Sequence, residues 1–178
     1  MKYVIASDLH GSNYCTQLLL DIAKSEGAEK IILLGDVYNH GPRNVLPKDY
    51  SPMLVAEKLN AISDKLIVIK GNCDSEVDKM ISKFDFLDSV VLVENGKSIL
   101  LTHGHIYNTS CLPKTKFDAI IFGHFHVGKI ENINGVVFAN SGSLALPKED
   151  SKPSYITLEN GEITLKTISG EIIDKIVL

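Results

Sequence analysis

The sequence predicts an α/β sandwich with mixed sheets, and three observations carry that expectation. Short runs rich in Val, Ile and Leu recur along the chain, strand and helix patterns alternate up to about Lys70, and beyond about Val90 strand follows strand across Asn-Gly turns. Alternation marks parallel pairing with crossover helices, whereas Asn-Gly between apolar runs marks hairpins. At 178 residues, 44% hydrophobic and 22% charged, the chain reads as a single domain over residues 1–178, large enough for its own core.

The apolar runs at 3–7, 30–34, 66–70, 90–94, 98–101, 119–122 and 135–139 read as buried strands. Cys15, Leu18, Leu19, Ile22 and Ala23 share one helical face, with Ser12 or Asn13 able to cap its start and Gly27 to stop it. Ser51-Pro52 opens a second helix with Val55, Leu59 and Ile62 inward. A third, starting near Asp74 or Ser75, is expected to bury Val77, Met80 and Ile81. Residues 155–178 alternate apolar and polar and are expected to add edge strands. The stretch 38–50, with Gly41, Pro42 and Pro47, reads as an irregular loop beside the second strand.

Composition excludes several function classes. The net charge is −4 and no Lys/Arg block is present, which disfavours a stable nucleic-acid complex. No apolar run approaches a membrane span or a signal-peptide core, so a cytoplasmic protein without a membrane partner is expected. Cys15, Cys73 and Cys111 lack Cys-x-x-Cys spacing, which argues against a disulfide framework or a cysteine zinc knuckle.

The chemistry lies where apolar strands end. Asp8 and His10 follow the first strand, Asp36 the second, Asn72 the third, His103 a later one, and His124 and His126 the run Ala119 to Gly123. Ligands of α/β sheets bind outside the carboxyl ends of strands, so these side chains should converge. Six histidines scattered at random would give about 0.2 His-x-His pairs, yet two occur, His103/His105 and His124/His126. Carboxylate and amide oxygens mixed with imidazoles suit Mn²⁺, Fe²⁺, Zn²⁺ or Ni²⁺ better than Ca²⁺, and the donors outnumber the needs of one ion. Two divalent ions are the natural reading, manganese first, in an arrangement suited to phosphoester hydrolysis.

In order along the chain, Asp8-Leu9-His10, Gly35-Asp36, Gly71-Asn72-Cys73-Asp74, Thr102-His103-Gly104-His105 and Gly123-His124-Phe125-His126 resemble the calcineurin-like metallophosphoesterase superfamily. Residues 35–44 and 71–78 are similar to the YfcE-type bacterial phosphodiesterases within it. The resemblance implies a four-layer α/β/β/α sandwich of two mixed sheets with helices outside. It also implies one metal on Asp8, His10, Asp36 and His126 and a second on Asp36, Asn72, His103 and His124, with Asp36 bridging. Metal-bound hydroxide would attack phosphorus directly in a small phosphodiester substrate, with Asn72 and Arg43 on the phosphoryl oxygens.

Cys73 occupies a position where many members of the superfamily carry a leaving-group histidine. A thiol is the poorer acid at neutral pH, which points to substrates with good leaving groups and to diesters over alkyl monoesters. Asp74 is expected to cap the third helix or orient a ligand histidine. His105 could support His103 or act in the chemistry, and His40 could contact substrate or share the acid role. The alternatives are a nucleotide-specific phosphohydrolase, a non-catalytic scaffold of the same fold, and a redox sensor acting through Cys73. The apolar tail Ile172, Ile173, Ile176, Val177 and Leu178 could be an edge strand or the contact of a homo-oligomer.

Overall fold

The computed structural model describes residues 1–178. The chain builds two mixed sheets whose inner faces meet. Strands β1 (Lys2–Ala6), β2 (Lys30–Leu33), β3 (Leu66–Ile69) and β4 (Phe86–Leu87) run parallel, and β10 (Ser154–Glu159), β11 (Glu162–Thr167) and β12 (Ile172–Val177) extend that sheet antiparallel in the order β12-β11-β10-β1-β2-β3-β4. The second sheet has the order β5-β6-β7-β9-β8, from β5 (Val90–Glu94), β6 (Lys97–Leu101), β7 (Ala119–Phe122), β8 (Gly128–Ile133) and β9 (Val136–Ser141). Its centre, β6, β7 and β9, is parallel, with antiparallel hairpin partners at both edges.

Strands buried on both faces account for the unbroken apolar runs. Ile5, Ile32 and Ile69 point inward against Ile99, Leu101, Ile121 and Ala139 of the facing sheet. Their neighbours Val4, Ala6, Ile31, Leu33 and Val68 point outward, under helices α1 (Asn13–Ser25) and α2 (Pro52–Asn60), and meet Leu19, Ile22, Val55 and Leu59. Full burial of each such side chain stabilises the fold by about 1.5–3 kcal/mol before entropy is counted. All helices precede Phe86 in the chain, so the outer face of the second sheet carries no helix. There Leu100, Ile120, Phe122 and Phe138 are covered by irregular chain, including Tyr107 and Phe117, where the four-layer description has helices.

The local signals act as expected at most positions. Ser12 caps α1 by accepting from the Cys15 N–H at 3.1 Å, and Pro52 opens α2, although the Ser51 side chain makes no capping bond. Asn95-Gly96, Asn134-Gly135 and Asn160-Gly161 all lie at positive φ and close the β5–β6, β8–β9 and β10–β11 hairpins, as two-residue primed turns require. Two expectations are corrected. Val77 and Met80 are 65% and 83% exposed, because α3 (Glu76–Ile81) is six residues long and only its last residue reaches the core. The tail also does more than add edges: β10 pairs directly with β1, Ile163 and Leu165 of β11 are fully buried, and only β12 is an edge.

Glu26 ties the end of α1 to three strands. Its carboxylate accepts from Tyr155 and Lys166 at 2.8 Å and pairs with Lys2 at 3.0 Å. Burial alone would raise the Glu26 pKa, but the bonds from Lys166, Lys2 and Tyr155 outweigh it and hold it at about 2. Because the folded value lies below the ordinary 4.5, the stabilisation is fully present above pH 4.5 and is lost as pH falls toward 2. Denaturant titrations should therefore show about 2 kcal/mol of acid-dependent stability across that window that Glu26→Gln lacks.

Candidate metal centre

The parallel strands of both sheets end at one edge of the sandwich, and each is followed by a turn that carries a polar residue. Asp8, His10, Asp36, His124 and His126 all have positive φ, between 48° and 65°. That conformation is rare for residues with a Cβ and costs each about 1 kcal/mol or more. The turns are packed so closely that the glycines before them admit no side chain. A Cβ on Gly71 would overlap the Asp36 carboxylate and backbone, and one on Gly123 would overlap Ser7 and Asp8.

Asp74 holds the β2 and β3 turns together. Its carboxylate accepts backbone N–H groups from Gly71 at 2.7 Å and from Asp36 and Val37 at 2.8 Å. It neither caps α3 nor touches a histidine; the N–H of Ser75, at the start of α3, donates to Asp78 instead. Burial pushes the Asp74 carboxyl up to about 6 in spite of those three bonds. The Cys73 N–H donates to Asp36 Oδ1 at 2.8 Å, which orients the Asp36 carboxylate.

The histidines are set by backbone carbonyls that no sequence motif announces. His10 Nδ1 bonds the Asn39 carbonyl at 2.7 Å, and His103 and His126 Nδ1 bond the Leu34 and Leu146 carbonyls at 2.6 Å. An Nδ1–H donated in this way leaves the Nε2 lone pair free to bind a cation. The Nε2 atoms of His10 and His126 then face each other at 3.3 Å, with Asp8 Oδ1 3.2 Å from His126 and 3.6 Å from His10. Asp8 Oδ1 is buried and has no hydrogen-bond partner. A second group forms beside the first: His103 Nε2 lies 3.0 Å from Asn72 Oδ1 and 3.2 Å from His124 Nδ1. Asp36 Oδ2 stands between the groups, 3.8 Å from His10 Nε2 and 3.5 Å from His103 Nε2.

Acceptors crowded this closely repel unless a positive charge lies among them. The donor set, oxygen and imidazole with no thiolate cage, fits divalent transition-metal ions. Asp8, His10 and His126 form one candidate ligand group, and Asp8, Asp36 and His103 another. Burial works against charging His103, but Asp36 and Asp8 override it and lift the ring to about 9. Burial opposes ionisation of Asp36, yet the His103 ring and the Cys73 N–H hold its carboxyl well below the usual range.

The remaining residues singled out by sequence divide. Asp36, Asn72, Cys73, Arg43, His124 and His126 line an open cavity of about 700 Å³ beside the two groups. His40 is not among its lining residues; its ring packs edge-on against Tyr50 at 5.4 Å, and its Nδ1 is buried without a hydrogen-bond partner. His105 is exposed beside His103 and His124, with ring centroids 5.3 and 6.2 Å away, and is likewise outside the cavity lining. Sequence reasoning missed Lys148, which brings a cation to the cavity from a loop without a motif, and Phe125, hidden in plain sight between two histidines.

The calcineurin-like phosphoesterase superfamily domain matches residues 1–162. Phosphodiesterase YfcE of Escherichia coli (strain K12) is 39% identical over 176 residues, which span 97% of this chain and 95% of that protein. The solved structure of YfcE, a phosphoesterase from E. coli, superposes with a TM-score of 0.95 at 36% identity, covering 99% of both chains. Wild-type Vps29 from Entamoeba histolytica, solved in complex with Zn²⁺, shares the fold with a TM-score of 0.63 at 18% identity, over 99% of each chain. No helix of this chain is long and apolar enough to cross a membrane.

Two outcomes test this geometry. Asp74→Ala leaves three buried N–H groups without an acceptor, and chemical denaturation should register a loss of about 3 kcal/mol or more. A metal ion and a proton compete for the His103 lone pair. Affinity for a divalent cation should therefore rise with pH until about 9, and calorimetry in buffers of different ionisation enthalpy should detect proton release on binding near neutrality.

Proposed function

The chain belongs to the calcineurin-like phosphoesterase superfamily, and from that premise we propose that it is a phosphodiesterase working with two divalent cations, manganese foremost. The observation that carries the reading is the pair of acceptor groups joined by Asp36: His10, His126 and Asp8 on one side, His103, Asn72 and His124 on the other. When bound, the cations supply Lewis acidity, which activates water and neutralises charge on the phosphoryl oxygens.

The chain's own residues do the rest. Asp36 is kept ionised by its neighbours and can bridge both groups. The Asn72 amide, which contacts His103, and the Arg43 and Lys148 side chains in the cavity lining would hold phosphoryl oxygens. Prepaid orientation of this kind is worth several kcal/mol of barrier. The cavity is far larger than a phosphate group and polar along most of its wall, which leaves room for both substituents of a diester.

Cys73 bears on the leaving group. Burial, followed by the charge of Asp36, pushes its thiol up to about 12, and a thiol is a weaker proton donor than an imidazolium at neutral pH. An ester whose leaving group departs as a stable anion needs little help from such an acid. This supports a preference for aryl and other activated diesters over alkyl monoesters. The cysteines Cys15, Cys73 and Cys111 are all free, in keeping with a cytoplasmic setting. The edge strand β12 exposes Ile172, Ile173 and Val177 and could serve a homo-oligomer.

The test is hydrolysis of bis(p-nitrophenyl) phosphate beside p-nitrophenyl phosphate, using protein stripped by chelator and resupplied with Mn²⁺. Metal-dependent diester cleavage exceeding monoester cleavage is expected, and Cys73→His should raise the monoester-to-diester ratio about tenfold or more. Failure of folded, metal-loaded protein to cleave either ester would instead favour a scaffold role for the fold.

A further inference from the structure

One cavity residue has no part in the chemistry above. Phe125 is the one Phe, Tyr or Trp side chain lining the cavity, and it is 46% exposed. Its neighbours His124 and His126 both adopt positive φ, 65° and 64°, and are committed to the acceptor groups, which leaves the intervening ring at the cavity wall. The ring is braced edge-on by His124 at 5.2 Å and by Phe122 at 6.1 Å, with interplanar angles of 74° and 88°. It also borders a second, smaller recess of about 180 Å³ walled by Phe122, Phe138 and Val127 and by the polar Lys129, Glu131 and Asn140. The two hollows therefore meet at one aromatic ring.

Cys73 and the Gly41–Arg43 loop reach the cavity from the seven-stranded sheet, whereas Phe125 reaches it from the five-stranded sheet. A phosphodiester held in this cavity with its leaving oxygen toward Cys73 would have Phe125 available to its other substituent. A braced aromatic face binds a flat ring by stacking with little regard to the identity of that ring. Lys129, Glu131 and Asn140 add polar groups beside the apolar part of that recess.

We infer that Phe125 and the adjoining recess form a subsite for the retained substituent of the diester, and that this substituent carries a flat aromatic ring, an aryl group or a nucleobase. The inference rests on the phosphodiesterase reading and deepens it. Phe125 is then a specificity-determining residue whose effect falls on KM.

The test compares three substrates that share the p-nitrophenolate leaving group and retain, respectively, a methyl group, a phenyl group or thymidine through its 5′ oxygen. The protein should favour the ring-bearing diesters over the methyl diester by about tenfold in kcat/KM, mainly through KM. The larger of the two ring preferences assigns the natural substituent to the aryl or the nucleobase class. Phe125→Ala and Phe125→Leu should each erase most of that preference, and Phe125→Tyr should retain it. An unchanged preference in both Phe125→Ala and Phe125→Leu overturns the subsite while leaving the phosphodiesterase reading intact. Absence of cleavage of all three substrates by the metal-loaded parent protein would remove both.

Discussion

Asp74 binds the N–H groups of Gly71, Asp36 and Val37, and through them the turns that end β2 and β3 become one unit. Asp36 can stand between the two acceptor groups only because its backbone is pinned from behind by this carboxylate and its side chain is held by the Cys73 N–H. The close approach leaves no room for a side chain at position 71 and forces Asp36 to positive φ. Backbone N–H groups this deeply buried must find acceptors, and the carboxylate supplies three at once. Loss of that anchor would free both turns, and with them Asp36 and Asn72 on the seven-stranded side of the site.

Backbone strain and electrostatic crowding have one origin at this edge. Five candidate ligand residues sit in the left-handed region, and imidazole nitrogens face one another at 3.2 and 3.3 Å. The strain and the crowding both oppose folding, and both hold donors in an arrangement that needs no rearrangement to bind a cation. The two sheets and the α1–α2 layer supply the stability that tolerates this strain. Residues of the outer layers are therefore free to follow ordinary helix and strand rules, and the turns are not.

The candidate ligands were legible in the sequence because each follows an apolar strand, commonly across a glycine, and parallel strands deliver such residues to one edge. The three hairpins were legible because Asn-Gly fits only a narrow set of turns. Contacts made by backbone atoms left no such mark. Nothing in Asn39, Leu34 or Leu146 as residue types reveals that their carbonyls orient three histidines. Helical periodicity likewise named a face for α3 without knowing that so short a helix projects past the sheet, leaving Met80 in solvent. Residue type likewise does not announce that the His40 ring packs against Tyr50 or that the His105 ring lies beside His103. The short β4 and the weakly apolar β8 escaped notice because neither is a sustained apolar run.

The position of β1 at the centre of the seven-stranded sheet governs how the chain can assemble as it leaves the ribosome. Its neighbour β2 is only a helix away, but its other neighbour is β10, whose Thr157 and Ile156 pair with Val4 and Ile5. Until residues 154–167 have been synthesised, Ile5 and Ile32 lack Ile156, Leu158 and Leu165, with which they share the inner core. Contacts of such sequence separation form late and slowly. The nascent N-terminal half must therefore expose an apolar strand edge through most of translation, a state in which chaperone protection matters more than it does for the finished fold.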